Sequence, residues 1–310
     1  MRLTRENLIG PWAGLPVAWT DDDQFDDDVY RSDVIRACKA HVPGIYTAGT
    51  TGEFYAQEFE EFKAITRATV EGCRAHGVPS MIGVTSTHTL GAARRAGVAR
   101  ELGADSIQVA LPFWMEVPDG AVAPFFREVS RAAGDLPLSV YETMRTKKAL
   151  TLDQHRQIKD ALPNYLMVKS NANTIGTTPE GCTALSRFVN VFVNENLWGT
   201  LGPHGAIGCC SALVYANPRM ILHIWSLLRT RQWETLREQS IRLGKLDEYL
   251  ESTIGAKGYT DTSYDRLATV ATGFLKTSLR SRGPYPSADA ADLELFRAWC
   301  RANFPELLVL

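Results

Sequence analysis

Two long reactive side chains end apolar runs that have the composition of β-strands. Lys169 ends the run YLMVK, and Tyr141 ends the run LPLSVY. A lysine there can be a solvated strand end, but neighbouring parallel strands lie about 4.8 Å apart, so the two side chains can meet over adjacent strands. A neutral amine attacks a carbonyl carbon, burial lowers the pKa of a lysine, and a phenol can relay protons. We therefore predict a pair that forms and processes a Schiff base.

A glycine- and threonine-rich turn, Gly49-Thr50-Thr51-Gly52-Glu53, follows another apolar run. Two glycines permit a tight turn, and the N–H groups of the following helix start can bind a carboxylate together with two hydroxyls. The alternative is a plain strand-to-helix turn in which Thr or Gly caps the helix. Neither G-x-G-x-x-G nor G-x-x-x-x-G-K-[ST] occurs, so the turn is not a nucleotide-binding loop.

Short apolar runs alternate with longer amphipathic segments over residues 1–225. The predicted strands lie near 15–19, 44–48, 79–84, 105–111, 136–141, 165–169, 189–193 and 205–211. The predicted helices lie near 28–40, 54–75, 90–102, 121–133, 152–162 and 179–187, with another from Pro218. Eight such units predict an α/β fold, a (β/α)8 TIM barrel, whose active site lies at the carboxyl ends of the strands. Lys169, Tyr141 and the turn all fall at such ends.

The remainder of the chain lacks strand-like alternation. It predicts three further helices, interrupted around Gly255–Thr260 and by Gly283-Pro284-Tyr285-Pro286. We therefore predict two parts, a barrel over residues 1–225 and a C-terminal helical extension over residues 226–310.

Composition and charge exclude several classes of protein. The net charge is −2, with 22% charged and 45% hydrophobic residues, so there is no basic excess typical of a nucleic-acid or membrane-surface binder. No apolar run reaches the length of a membrane span, and the N-terminus lacks the pattern of a signal peptide, which favours the cytoplasm. The six cysteines show no C-x-x-C spacing, so neither a disulfide framework nor a metal site is predicted.

These motifs, in this order on this strand pattern, resemble the dihydrodipicolinate synthase / N-acetylneuraminate lyase family of class I pyruvate-dependent aldolases. The resemblance covers the chain from about Gly10 to the C-terminal helices, and Gly205-Ala206-Ile207-Gly208 is similar to the family's glycine-containing strand beside the pyruvate site. It implies that Lys169 forms the Schiff base, that Tyr141 shuttles protons and that Thr50 and Thr51 hold the carboxylate. It also implies no cofactor, and a tetramer or dimer. The predicted catalytic residues are Lys169, Tyr141 and Thr51, and the predicted substrate-binding residues are Gly49, Thr50, Thr51, Gly52, Ile207 and Trp114.

The chain departs from the family pattern at two places. After its tyrosine the family commonly has Asn-x-Pro, whereas this chain has Glu142-Thr143-Met144, followed by Arg145. The synthases carry Pro-Tyr-Tyr, whose second tyrosine completes a proton relay across a subunit contact, whereas this chain has Pro112-Phe113-Trp114. An indole N–H donates a hydrogen bond but cannot relay a proton through an oxygen. The segment is instead similar to the hydratase-aldolase branch, and Trp114, Phe113 and Trp19 could line a pocket for a ring or pack at a subunit interface.

Three functional hypotheses follow from these residues. The first is a class I lyase that binds pyruvate or its adduct as an imine, without a metal, and cleaves or joins a carbon–carbon bond with an aldehyde as the second partner. The second retains the imine but makes the reaction a dehydration or deamination of a sugar-acid or amino-acid-derived 2-oxo acid, with dihydrodipicolinate synthase itself as a further alternative. The third is a non-catalytic barrel that binds 2-oxo acids.

Overall fold

Eight parallel strands close into a barrel in chain order in the computed structural model, which describes residues 2–211 and 213–310. The strands are β1 (Gly10–Gly14), β2 (Ile45–Thr47), β3 (Ser80–Gly83), β4 (Ser106–Val109), β5 (Leu138–Glu142), β6 (Tyr165–Ser170), β7 (Asn190–Phe192) and β8 (Ala206–Ser211). The helices of the barrel are α1 (Asp27–Lys39), α2 (Phe59–His76), α3 (Thr89–Leu102), α4 (Asp119–Ala133), α5 (Leu152–Ala161), α6 (Pro179–Ser186), α7 (Trp198–Leu201) and α8 (Pro218–Arg229). The predicted TIM barrel is confirmed.

The position predicted for the first strand is wrong. The structure places β1 at Gly10–Gly14, in a segment whose glycines and proline indicate a turn rather than a strand. β1 pairs with β2 and β8 and so closes the barrel. The predicted strand at 15–19 is instead a buried loop over the barrel, with one isolated bridge between Trp19 and Phe25.

The segment predicted as one helix from 54 to 75 is divided. A single short helical turn, Phe54–Ala56, is followed by an extended Gln57, and α2 then begins after Glu58. Glu58 and Glu61 form a capping box, which satisfies free N–H groups at the start of α2. The carboxylate pair at this spacing is the local signal for the helix start.

Large side chains fill the barrel interior below its mouth. Trp12, Tyr46, Met81, Met167 and Phe192 come from five different strands and form one buried cluster. Such layers of interdigitating side chains make the barrel a packed core rather than a pore. The strand ends above this layer therefore form the floor of any cavity at the carboxyl face.

Three long helices follow the barrel, as predicted: α9 (Trp233–Tyr249), α10 (Asp261–Thr272) and α11 (Ala290–Asn303). A π-helical turn, Leu250–Ile254, extends α9. The division predicted between residues 225 and 226 falls inside α8 and stays a prediction. Within the described part of the chain, no helix is long and apolar enough to cross a membrane.

Candidate active site

Lys169 and Tyr141 lie side by side at the carboxyl end of the barrel. They are register partners on β6 and β5. The Nζ atom of Lys169 lies 4.3 Å from the ring centroid of Tyr141, and 6.0 Å from that of Tyr46. The amine thus lies over the face of the phenol, in the geometry of a cation–π contact. The two side chains that the strand pattern predicts to meet are in contact.

The hydroxyl of Tyr141 is held by two polar neighbours. The Nδ2 atom of Asn171, two residues beyond Lys169, donates a hydrogen bond of 3.1 Å to it. The Oγ1 atom of Thr50 lies 3.4 Å away and can act as donor or acceptor. The phenol oxygen therefore connects the strand that carries the lysine with the Gly49–Glu53 turn.

The turn itself has the shape that its glycines suggest. The N–H groups of Glu53 and Phe54 donate to the carbonyls of Thr50 and Gly49, which closes the turn. The N–H group of Thr51 donates to no acceptor among the described residues. It is therefore free to bind an anion, as the sequence predicts for this turn.

The end of the turn is fixed to α10 by a buried ion pair. Arg266 donates to the Glu53 carboxylate at 3.1 Å and to the Val17 carbonyl at 2.7 Å, and both side chains of the pair are fully buried. The indole of Trp19 also donates to Glu53, whose φ of 50° lies in the left-handed region. A residue held in that region needs such partners, because it is strained for a side chain other than glycine.

Thr51 has a partner that the barrel motifs do not predict. Its hydroxyl donates a hydrogen bond of 2.6 Å to the Oδ2 atom of Asp265 on α10. The second threonine of the turn is thus connected to the helical extension, and the first to Tyr141.

These groups line one cavity of about 800 Å³ between the barrel mouth and the helices that follow it. Among the described residues that line it, Lys169 is the one basic side chain. The acidic and amide side chains that line it are Asn171, Asn194, Glu195, Asn196, Asp247, Glu248, Glu251, Asp261 and Asp265. The lining of the cavity is therefore rich in carboxyl and amide groups.

Neighbouring carboxyl groups raise the pKa of Asp265, of Asp247 and of Lys169. Burial raises the pKa of Asp265 to about 7, and the charge of Asp261 adds to this effect. Burial and the charge of Glu195 raise the pKa of Asp247 to about 7. Burial lowers the pKa of Lys169, but the neighbouring Tyr141, Cys210 and the two α10 aspartates raise it, so that the net change is an increase, contrary to the expected lowering. A nucleophilic role would therefore require the amine to lose a proton first.

Glu142 takes the place of the family's asparagine but points away from the cavity. It accepts a hydrogen bond of 2.9 Å from the N–H of Leu150, and its other oxygen lies 3.1 Å from Nε2 of the buried His155. Arg145 reaches the rim of the cavity, where it pairs with Asp261 at 2.9 Å. The altered loop is therefore anchored to α5 on one side and to α10 on the other.

Four residues predicted to bind substrate do not line the cavity. Gly49 and Gly52 shape the turn, because a side chain at Gly49 would collide with the Tyr46 phenol and one at Gly52 would lie 2.8 Å from the Ala48 amide nitrogen. Ile207 packs on the cluster below the mouth. Trp114 lies on the surface with 75% of its side chain exposed, because its loop turns outward and Lys147 binds its carbonyl.

The predicted aromatic pocket is therefore not formed within one chain. Phe113 packs on Phe54, and Trp19 is buried with its N–H on Glu53.

The residues that the sequence did not reveal are Asn171, Glu195, Asp247, Asp261 and Asp265. Asp261 and Asp265 are spaced four apart and so share a helix face, but an acidic helix face is more commonly solvated, which is why the pattern alone did not identify them. No group of side chains that could hold a metal ion occurs among the residues described.

Comparisons with known proteins agree with this architecture. The sequence profile of the dihydrodipicolinate synthetase family matches residues 10–255. The 4-hydroxy-tetrahydrodipicolinate synthase of Bartonella bacilliformis is 22% identical over 242 residues, which cover 77% of this chain and 82% of that protein. A probable 5-dehydro-4-deoxyglucarate dehydratase of Streptomyces coelicolor is 35% identical over 133 residues, 43% of this chain and 41% of that one.

A solved structure shares the fold across almost the whole chain. YagE, a prophage protein of the dihydrodipicolinic acid synthase family from E. coli K12 crystallised with pyruvate, superposes with a TM-score of 0.86. The identity is 19%, and the match covers 95% of this chain and 98% of YagE. At that identity the likeness establishes the fold alone, and the profile match establishes the family. The chain belongs to the dihydrodipicolinate synthetase family and is, like the family's aldolases, synthases and dehydratases, a lyase.

Proposed function

We propose that the protein is a class I lyase that binds pyruvate, or a larger 2-oxo acid that contains the pyruvate unit, as an imine on Lys169. The observation that carries the proposal is the contact of the Lys169 amine with Tyr141, 4.3 Å from the ring, in the cavity at the carboxyl end of the barrel. Lys169 supplies the nucleophile, and the Tyr141 hydroxyl relays protons to and from the carbinolamine and the substrate oxygen.

The carboxylate of the 2-oxo acid binds at the turn. The hydroxyl of Thr50 lies 3.4 Å from that of Tyr141, whose ring contacts the lysine, and the N–H of the next residue, Thr51, has no acceptor among the described residues. A 2-oxo acid whose carboxylate binds there is held next to the amine, so that its keto carbon is within reach of the Nζ atom of Lys169. Loss of a proton from the neighbouring carbon, or cleavage of a carbon–carbon bond at that carbon, leaves the bonding electron pair in the enamine, with the positive imine nitrogen as the electron acceptor. In a dehydration the enamine then donates this pair to expel a hydroxyl group, with a proton, from the next carbon along.

Reduction with borohydride tests this proposal directly. Incubation with pyruvate and borohydride should add a permanent mass to the protein, and peptide mapping should place it on Lys169. Lys169→Arg keeps a positive charge at the same point but cannot form an imine, and it should fold and remain unlabelled. An unlabelled wild-type protein would contradict imine chemistry.

A dehydratase is the second candidate, because carboxyl and amide side chains outnumber aromatic rings in the lining of the cavity. Such groups bind hydroxyls, which suits a hydroxylated sugar-acid-derived 2-oxo acid better than an aryl aldehyde. The dehydratase of Streptomyces coelicolor among the relatives supports the same direction. Product analysis with a panel of 2-oxo acids separates the two, since an aldolase releases an aldehyde and a dehydratase releases water without one.

A further inference from the structure

The hydrogen bond from Thr51 to Asp265 has a consequence for how the site accepts an anion. Thr51 donates its hydroxyl hydrogen to Asp265 at 2.6 Å. A threonine hydroxyl has one hydrogen only. While an ionised Asp265 accepts it, Thr51 presents only lone pairs to the cavity, and lone pairs repel a carboxylate.

A second effect acts in the same direction. Asp265 and Thr51 both line the cavity that holds Lys169. A 2-oxo acid bound at the turn would place its carboxylate next to that of Asp265. Two carboxylates that share a site are stabilised when one of them takes up a proton. A protonated Asp265 can also donate to the Thr51 oxygen, which frees the threonine hydrogen for the substrate.

We propose that Asp265 is a positioning residue that takes up a proton when the 2-oxo acid binds and thereby turns the Thr51 hydroxyl toward the substrate carboxylate. This inference rests on the proposed function, because it assumes that the substrate anion binds at the turn. It makes binding of the 2-oxo acid dependent on pH through a group that does not itself react.

The surroundings of Asp265 determine the pH range in which binding depends on pH. Its pKa is raised to about 7, because burial and Asp261 favour the neutral acid more than Thr51 and Lys169 favour the anion. The titratable groups that face it from the neighbouring elements are Asp261 on its own helix, Lys169 on β6, Glu195 after β7, Tyr215 after β8 and Asp247 on α9. Proton uptake on binding of the 2-oxo acid is therefore expected above pH 7, where Asp265 is ionised before the acid binds.

The experiment measures pyruvate binding to the full-length wild-type protein and to Asp265→Asn between pH 6 and 9, by calorimetry in buffers of different ionisation enthalpy. An asparagine is isosteric but cannot titrate. We expect similar affinities at pH 6 and a wild-type dissociation constant that rises, relative to the variant, by up to about tenfold per pH unit above pH 7. We also expect the wild type to take up close to one more proton per pyruvate than the variant at pH 8. Both proteins contain Lys169, and a variant that loses the other α10 carboxylate near the lysine controls for the effect of that loss on the titration of the amine.

Asp261→Asn is the matched control, because it removes a carboxylate from the same helix and cavity that bonds Arg145 rather than Thr51. It should retain the proton uptake of the wild type.

A constant ratio of the wild-type and Asp265→Asn dissociation constants across the pH range, or equal proton uptake by these two proteins, would overturn the role of Asp265. Borohydride labelling of Lys169 is measured in the same samples: labelling with a constant ratio refutes this inference alone, whereas no labelling of the wild type refutes the proposed function. The proton uptake of the wild type itself tests the inference should Asp265→Asn fold poorly.

Discussion

The amine of Lys169 lies against the face of a phenol, while the phenol hydroxyl is occupied by Asn171 and Thr50. The ring and the hydroxyl of Tyr141 therefore have separable effects. The π-face stabilises the ammonium form of the lysine, and the hydroxyl is the group that can carry a proton. A substitution that removes only the oxygen separates them.

Tyr141→Phe should leave imine formation measurable and lower turnover by about 10²–10⁴-fold, the usual contribution of a positioned acid–base group. The measurement compares the steady-state rate of pyruvate release or consumption with the yield of the borohydride adduct. Tyr264→Phe is the control, because this cavity tyrosine donates to the carbonyl of Tyr259 and touches neither Lys169 nor the turn. Turnover of Tyr141→Phe within a few-fold of the wild type would exclude the phenol as the relay.

At the scale of elements, the site is assembled by the connection between the Gly49–Glu53 turn and α10. The ion pair of Glu53 and Arg266 is fully buried and also binds the Val17 carbonyl and the Trp19 indole. A buried charge that loses its partner keeps its desolvation cost without compensation. The pair therefore fixes the position of the turn more firmly than surface contacts can.

Arg266→Leu should lower the free energy of unfolding by about 3–5 kcal/mol, because it leaves the Glu53 carboxylate buried and unpaired. Urea denaturation followed by circular dichroism measures the change. The double variant Arg266→Leu/Glu53→Gln should lose less free energy of unfolding than the two single variants lose in total. Arg31→Ala, which breaks the surface pairs with Asp27 and Glu71, should cost no more than about 1 kcal/mol for each pair. Strict additivity of the two buried substitutions would show that the pair does not act as a unit.

The elements also show how far the sequence could predict the structure. Alternation of apolar and amphipathic segments was sufficient for the barrel, because strand and helix periods differ and parallel strands need crossover helices. The order of the strands then brought Lys169 and Tyr141 together. The first strand was misplaced because its glycines and Pro11 indicate a turn, and only pairing with β2 and β8 makes it a strand. Asp265 was missed because its partner, Thr51, is remote in sequence, and no local pattern encodes that contact.

At the scale of the whole molecule, several buried carboxyl groups keep their protons to higher pH in the folded chain than in the unfolded one. Burial raises the pKa of Asp33 to about 6 and that of Asp247 to about 7, from 3.8. A group of this kind stabilises the fold at low pH relative to high pH, since the folded state binds more protons there. These two groups therefore lower the free energy of unfolding as the pH rises from about 4 through 7.

Asp247→Asn should remove part of this dependence. The side-chain oxygen of asparagine can still accept the hydrogen bond of 2.6 Å from Asn196, whereas it has no charge to bury. We expect the variant to be more stable than the wild type at pH 8, and its free energy of unfolding to depend less on pH between pH 4 and 7. Urea denaturation at several pH values measures the free energy of unfolding. The control is Asp153→Asn, at an exposed position, whose free energy of unfolding should change with pH as that of the wild type does. A variant profile with the wild-type slope would exclude Asp247 as a source of the dependence.

The cavity is built from two stretches of chain, one inside the residues that the family profile matches and one beyond them. Lys169, the proposed nucleophile, lies on β6, inside residues 10–255 that the family profile matches, whereas Asp261 and Asp265 lie on α10, beyond that stretch. Substitutions in α10 can therefore change the polar groups that face the cavity without moving a strand. For protein engineering, exchange of α10 between relatives, with Arg266 retained so that its buried pair with Glu53 holds the turn, is a graft that should alter selectivity while Lys169 stays in place.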